Sequence, residues 1–199
     1  MNNNECTKER FLEVVKDHKL TIIYDNDINR HIRLQNKNGD YCGRYDIITW
    51  DNHLCITGDY GSYLFQRTTD MFNFFRNEEL KINSYYWAEK CIAESVFGNG
   101  IREFSVKRFK ERIIEYYKNW LSYNLTSLEE IKEVKEEIRN MFAYAEDEYS
   151  CVEAYRNFSS EYLDLSDFWE DSCMEKTYHF IWCLYAIVFG IQKYDEYKK

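Results

Sequence analysis

Proline is absent from this 199-residue chain, and no Pro-rich or Gly/Ser-rich stretch interrupts it. Nothing of linker composition therefore divides it, and its length suits one domain over 1–199. Long apolar runs are missing as well. The longest, Tyr178–Ile191, covers fourteen residues, short of the roughly 20 that a membrane span needs, and reads as a buried core helix. No C-x-x-C occurs among the seven scattered cysteines (Cys6, Cys42, Cys55, Cys91, Cys151, Cys173, Cys183). Asn2, Asn3, Asn4 and Glu5 are polar with no apolar run behind them, so no signal peptide is expected. Free thiols in a reducing cytoplasm are the expectation that follows.

Positive charge is also scarce: 26 Lys and Arg stand against 35 Asp and Glu, for a net charge of −9 and a pI near 5.1. That balance opposes direct binding to phosphate backbones or anionic membranes, and favours solubility or a basic partner.

The signatures of common chemistries are missing too. Gly58-Asp59-Tyr60-Gly61 lacks the Lys-Ser or Lys-Thr of a P-loop, and strand rather than helix follows it. Gly98-Asn99-Gly100 is too short for a dinucleotide fingerprint. No G-x-S-x-G occurs, and no cysteine sits in a basic context that would activate it. Of the four histidines (His18, His31, His53, His179), only His53 has a close sulfur neighbour, Cys55, on the same side of a strand. Structural zinc needs four such ligands. No catalytic residue, metal or cofactor is assigned.

What is present is a chain rich in aromatics, 18% of the residues, with 45% hydrophobic and 31% charged, a composition that excludes disorder as the dominant state. Glu5 to Asp17 reads as a helix. Leu20–Tyr24 and Asn29–Gln35 read as strands, the second alternating Ile32 and Leu34 with His31, Arg33 and Gln35. A third strand runs from about Tyr41 to Trp50, and the hairpin Leu54–Thr57, Gly58–Gly61, Ser62–Arg67 follows. A β-meander of about five antiparallel strands, strand-rich over 19–67, is the result.

The remainder, 68–195, reads as helical. Thr68 or Thr69 caps a short helix with Asp70 in its first turn. Ser84 opens a helix reaching Cys91 and Ile92 that stops near Gly98-Asn99-Gly100. Ser105 opens another, with Phe109, Ile113, Tyr116, Tyr117, Trp120 and Leu121 on one face. Ser127 and Glu130 form a capping box; behind it Leu128, Ile131, Val134, Ile138, Met141, Phe142 and Ala145 make an apolar stripe. The opposite face, Glu129 to Glu137, is a solvated surface expected to hold some Lys–Glu pairs. Glu146 to Ser160 is acidic and aromatic, either helix or ordered loop. The last helix is expected to start at Ser166 and lie across the sheet. The fold class is thus α+β, a meander covered by a helical half with a buried last helix.

Candidate site residues cluster on the hairpin. Asp46 lies mid-strand, where Asp is depleted; either it faces water on an open sheet face or, the preferred reading, it is ion-paired with an arginine such as Arg44, Arg67 or Arg76. Asp46 with Asp59 could instead serve a hydrolase, which needs converging carboxylates. Tyr41, Tyr45, Trp50, Tyr60, Tyr63, Phe65 and Trp87 are candidate anchors for a partner, although strand alternation puts half of them in the core. Asp46, Trp50, Asp59, Tyr60 and Tyr63 are the binding candidates retained.

The blocks Tyr45–Trp50, His53–Phe65, Asp70–Phe72 and Phe74–Arg76, with Tyr86–Lys90 and Phe180–Ile191, resemble a family of uncharacterised proteins carried by bacteriophages, prophages and plasmids. The chain departs from its pattern at Asp51, where relatives have proline, and at Tyr60, where they have methionine; both lie in turns. The resemblance implies a mobile-element accessory protein acting in the cytoplasm of a bacterial host. Three functions are compatible: an inhibitor of a host defence effector, such as a CRISPR ribonucleoprotein, that acts by binding; a small hydrolase or nucleotide-modifying enzyme using the hairpin aspartates; or a replication accessory module.

Overall fold

A computed structural model describes residues 5–96, 100–168 and 173–199. The proposed helix stop at Gly98 and Asn99 lies outside them. The chain forms two compact units: residues up to Ile101 together with Lys176–Lys199, and Arg102–Glu175.

The first unit is built on six antiparallel strands in sequence order, β1 (His18–Asn26), β2 (Asn29–Asn36), β3 (Tyr45–Trp50), β4 (His53–Gly58), β5 (Gly61–Gln66) and β6 (Cys91–Glu94). Two-residue turns join β1 to β2, β3 to β4 and β4 to β5, so each of these strands meets its own neighbour first; a longer loop, 37–44, joins β2 to β3, and β6 returns to the sheet after the segment 67–90. The expected meander is present, and β6 extends it. Cys91 and Ile92 were expected in a helix. Instead α3 (Ser84–Ala88), capped by Asn83, ends early, and the chain pairs with β5 through Leu64↔Ala93 and Phe65↔Cys91. The backbone groups of β5 would otherwise form an open edge, and that non-local demand outweighs helical spacing. Strand β3 begins at Tyr45 rather than Tyr41, since the preceding loop turns at Gly39 and Gly43, both with positive φ.

Alternation gives the sheet two faces. Ile32, Leu34, Tyr45, Ile47, Leu54, Ile56, Tyr63 and Phe65 point to one side and are fully buried. The cover is α7 (Tyr178–Lys198), with α1 (Lys8–Val15) and α2 (Met71–Phe75) contributing Phe11, Phe72 and Phe75. Trp182 is the centre of this layer: Tyr60 stacks on it at 4.1 Å, and Phe11 and Tyr45 meet it edge-on at 5.3 and 5.5 Å. Gly190 lets the helix approach, because a Cβ there would lie 2.6 Å from Ile47 Cδ1. The helix begins at Thr177, whose hydroxyl accepts from Phe180 N at 3.1 Å and donates to Gly100 O at 2.7 Å. Ser166, the expected start, lies instead in a turn where its N–H donates to Asp164.

Ion pairs lock one end of this layer. Arg30, laid over the rings of Phe72 and Tyr194, donates to both oxygens of Asp70 at 2.7 and 3.2 Å. Asp70 also accepts from Phe72 N at 2.9 Å, so it, rather than Thr68 or Thr69, caps α2. Arg76 grips Asp195 at 2.7 and 3.0 Å, and Tyr194 donates to Asp25.

The second unit packs α4 (Val106–Tyr123), α5 (Leu128–Ala143) and α6 (Glu148–Arg156), with β7 (Arg102–Phe104) pairing β8 (Met174–Lys176). Phe109, Ile113 and Tyr117 from α4 meet Val134, Ile138 and Met141 from α5, and Cys151, Leu163, Leu165 and Phe168 close the core. Ser105 caps α4, and Ser127 with Glu130 forms the expected capping box on α5. Leu128, expected in the stripe, is exposed, because it is the first residue of the helix and extends past the core.

Candidate functional site

The outer face of the sheet holds two of the retained candidates. Asp46 and Trp50 both point away from α7, opposite Tyr45, Ile47 and Thr49. Register puts Arg33 beside Asp46 on β2, and its guanidinium takes the carboxylate with two hydrogen bonds, Nε to Oδ1 and Nη2 to Oδ2, each 2.8 Å. His31 Nε2 stands 2.8 Å from the same Oδ2. Burial alone would raise the Asp46 carboxyl; the bonds from Arg33 and His31 outweigh it and hold its pKa below the usual value. The expected ion pair is therefore real, but its cation is Arg33. Arg44 instead lies over the Tyr41 ring, and Arg76 holds Asp195. The signal for Arg33 was available in the alternation of β2, yet only the register joins it to Asp46.

Trp50 stacks flat on His53 across the β3–β4 pair, 5.0 Å between centroids. Cys55 shares this face, but Ile48 stands between it and His31 in the cross-strand row, a separation of about 10 Å at two strand spacings. Burial also pushes the Cys55 thiol up. Cys55 and His31 are therefore not poised as a thiolate–imidazole pair.

The other three candidates fasten the unit together. Asp59 Oδ2 accepts from Gly43 N at 3.0 Å, tying the β4–β5 turn to the loop before β3. Tyr60 packs on Trp182. Tyr63 faces inward, edge-on to Phe180 at 5.2 Å, and donates to Gly100 O at 3.0 Å. Asp46 and Asp59 engage separate partners and do not share a bond. Of the other candidate anchors, Tyr45, Phe65 and Trp87 are buried and Tyr41 is exposed. Among the described residues no three His, Cys, Asp or Glu side chains gather at one point, and no helix is long and apolar enough to cross a membrane.

The second unit presents a different surface. Arg102–Glu175 holds 18 Asp and Glu against 10 Lys and Arg, a formal charge of −8, whereas the rest of the chain holds 17 against 16. Residues 127–168 alone hold 12 against 4. The Lys–Glu pairs expected along α5 do not form: among the described residues Lys132 and Lys135 reach no carboxylate within ion-pair distance. Their carboxylates act instead as a common field. The charges of Glu133, then Glu161, Glu130 and Glu137, raise the Tyr162 phenol above its ordinary value.

Helices α5 and α6 frame a groove of about 640 Å³ on this unit. Glu137, Asn140, Met141 and Tyr144, at positions i, i+3, i+4 and i+7 of one helix face, line one wall. Tyr149, Glu153, Asn157 and Phe158 supply the other. The short link between the helices is set by Asp147, whose carboxylate accepts from Ser150 N at 2.7 Å while the Ser150 hydroxyl accepts from Asp147 N at 2.9 Å. Tyr144 and Tyr149 are 75% and 76% exposed. The acidic, aromatic composition of Glu146–Ser160 signalled this region; which residues share a wall became visible only once α6 was established as a helix.

Comparison of the chain with family models, curated proteins and solved structures finds no match.

Proposed function

We propose that the protein is a mobile-element accessory protein that acts by binding in the cytoplasm of a bacterial host, where it inhibits a host defence effector such as a CRISPR nuclease complex. One observation supports this reading above the others: the negative charge is concentrated on α5, α6 and the segment to Phe168, its glutamates largely without a cation among the described residues and flanked by exposed tyrosines. A nuclease channel is lined with the lysines and arginines that contact phosphates. An acidic helical surface complements such a channel, steers association towards it, and competes with nucleic acid for it. The resemblance of the hairpin to phage and plasmid proteins favours the same setting.

The test is a nuclease assay with purified effector complexes and labelled nucleic acid. Inhibition that nucleic acid competes away, that weakens as salt rises, and that is lost in the triple variant Glu129→Lys, Glu133→Lys, Glu136→Lys is the expected result. No inhibition by the folded protein, together with unchanged phage plating on defence-positive hosts, would contradict it.

A further inference from the structure

We infer that the α5–α6 groove is an arginine-docking site, in which a guanidinium presented by a basic segment of the partner enters between Tyr144, Tyr149 and Phe158 and pairs with Glu137. This rests on the reading of the acidic unit as a docking surface and assigns that surface a specific pocket.

Three features of the groove point to this occupant. First, its charged lining residues are both acidic, Glu137 and Glu153. Arg156 reaches Glu153 at 3.3 Å, but that pair is open to solvent and such pairs weigh little. Second, Glu137 Oε2 is out of contact with solvent and has no hydrogen-bond partner among the described residues. A carboxylate oxygen stripped of water and left without a donor is costly, and rotation of the Glu137 side chain into the groove would bring that oxygen to an N–H donor from a partner and remove the cost. Third, the walls carry aromatic faces beside the carboxylate. Guanidinium is planar, weakly hydrated, stacks on aromatic rings and presents paired donors to carboxylates; a lysine ammonium is a compact, strongly hydrated point charge with neither property. The groove's volume is in the range of clefts that enclose a small ligand or a few side chains.

The α5 face bearing Glu129, Glu133 and Glu136 provides an internal control. It contributes charge without lining the groove. Loss of a groove carboxylate and loss of a carboxylate outside it therefore separate a pocket from a general field.

The experiment titrates the full chain with three capped hexapeptides, hexaarginine, hexalysine and hexaglutamate, by calorimetry at low salt. Variants Glu137→Gln and Tyr149→Ala test the groove, Glu129→Gln and Glu136→Gln test the field, and circular dichroism verifies that each remains folded. Hexaarginine should bind about fivefold or more tighter than hexalysine, the margin expected of a stacked guanidinium. Each groove variant should weaken hexaarginine about fivefold, and each field variant less than twofold. Equal binding of the two cationic peptides, or equal losses in groove and field variants, would overturn the pocket while leaving the acidic docking surface in place. Binding of hexaglutamate, or self-association of the chain that Tyr149→Ala abolishes, would also overturn the pocket by naming another occupant. No binding of either cationic peptide would overturn both readings.

Discussion

The two units have similar numbers of acidic residues and use them in opposite ways. In the sheet unit 17 acids face 16 bases, and those joining the elements are held in place: Asp70 by Arg30, Asp46 by Arg33 and His31, Asp195 by Arg76. In the helical unit 18 face 10, and most α5 carboxylates have no cation among the described residues. Charge that is partnered fixes the arrangement of strands and helices. Charge left without partners destabilises its own unit slightly through self-repulsion and is available to a partner. By this contrast the sheet unit is the scaffold and the helical unit the contact surface that we propose.

The largest effect should come from the scaffold core. Trp182→Ala removes the ring on which Tyr60, Phe11 and Tyr45 pack, and should cost about 3–5 kcal/mol, read by urea unfolding. Peptide binding by the molecules that stay folded should be unchanged; a loss of binding in proportion to stability would break the division between scaffold and surface.

Ion pairs give a matched test. Arg30→Met leaves Asp70 partly buried without its cation and should cost about 3 kcal/mol. Arg156→Met, removing a solvent-exposed pair with Glu153, should change stability by less than about 0.5 kcal/mol. Similar costs for the two would erase the contrast.

Acid sensitivity should follow Asp46. Its carboxyl is held below the usual value, so the stabilisation it gives is present above the unfolded-state pKa of about 3.9 and is lost as pH falls through the lower folded-state value. Asp46→Asn should therefore be roughly 2 kcal/mol less stable at pH 7, and its deficit should shrink steadily below about pH 4. A deficit that stays constant down to pH 2 would remove the ion pair from the account.

The smallest effect is salt. Raising ionic strength shortens the screening length from about 10 Å at 0.1 M to about 3 Å at 1 M. Amide protection in α5 should rise by a few tenths of a kcal/mol, while protection in β2–β4 stays level.

Local chemistry makes several elements legible in the sequence. The Ser127–Glu130 box needs only four consecutive residues, and the apolar run of α7 is too dense to lie anywhere but in the core. What depended on distant partners was hidden. Strand β6 exists because β5 has an edge to fill, which nothing within Cys91–Glu94 declares. The start of α7 fell at Thr177 because its hydroxyl finds Gly100 O, a contact separated by 77 positions. Asp46 was recognisable as misplaced, but its partners came from a neighbouring strand whose register had to be known. The hairpin aromatics stood out as anchors, yet Tyr60 and Tyr63 are joined to the core, whereas the exposed ring of Tyr149 lay in a segment, Glu146–Ser160, that composition left undecided between helix and loop.

Hydrogen exchange of the full chain with and without hexaarginine at low salt tests the division of roles most directly. Slower exchange confined to residues 137–158, with 29–66 unchanged, is the predicted result. Protection that maps instead to the open face of the sheet around Asp46 and Trp50 would contradict it.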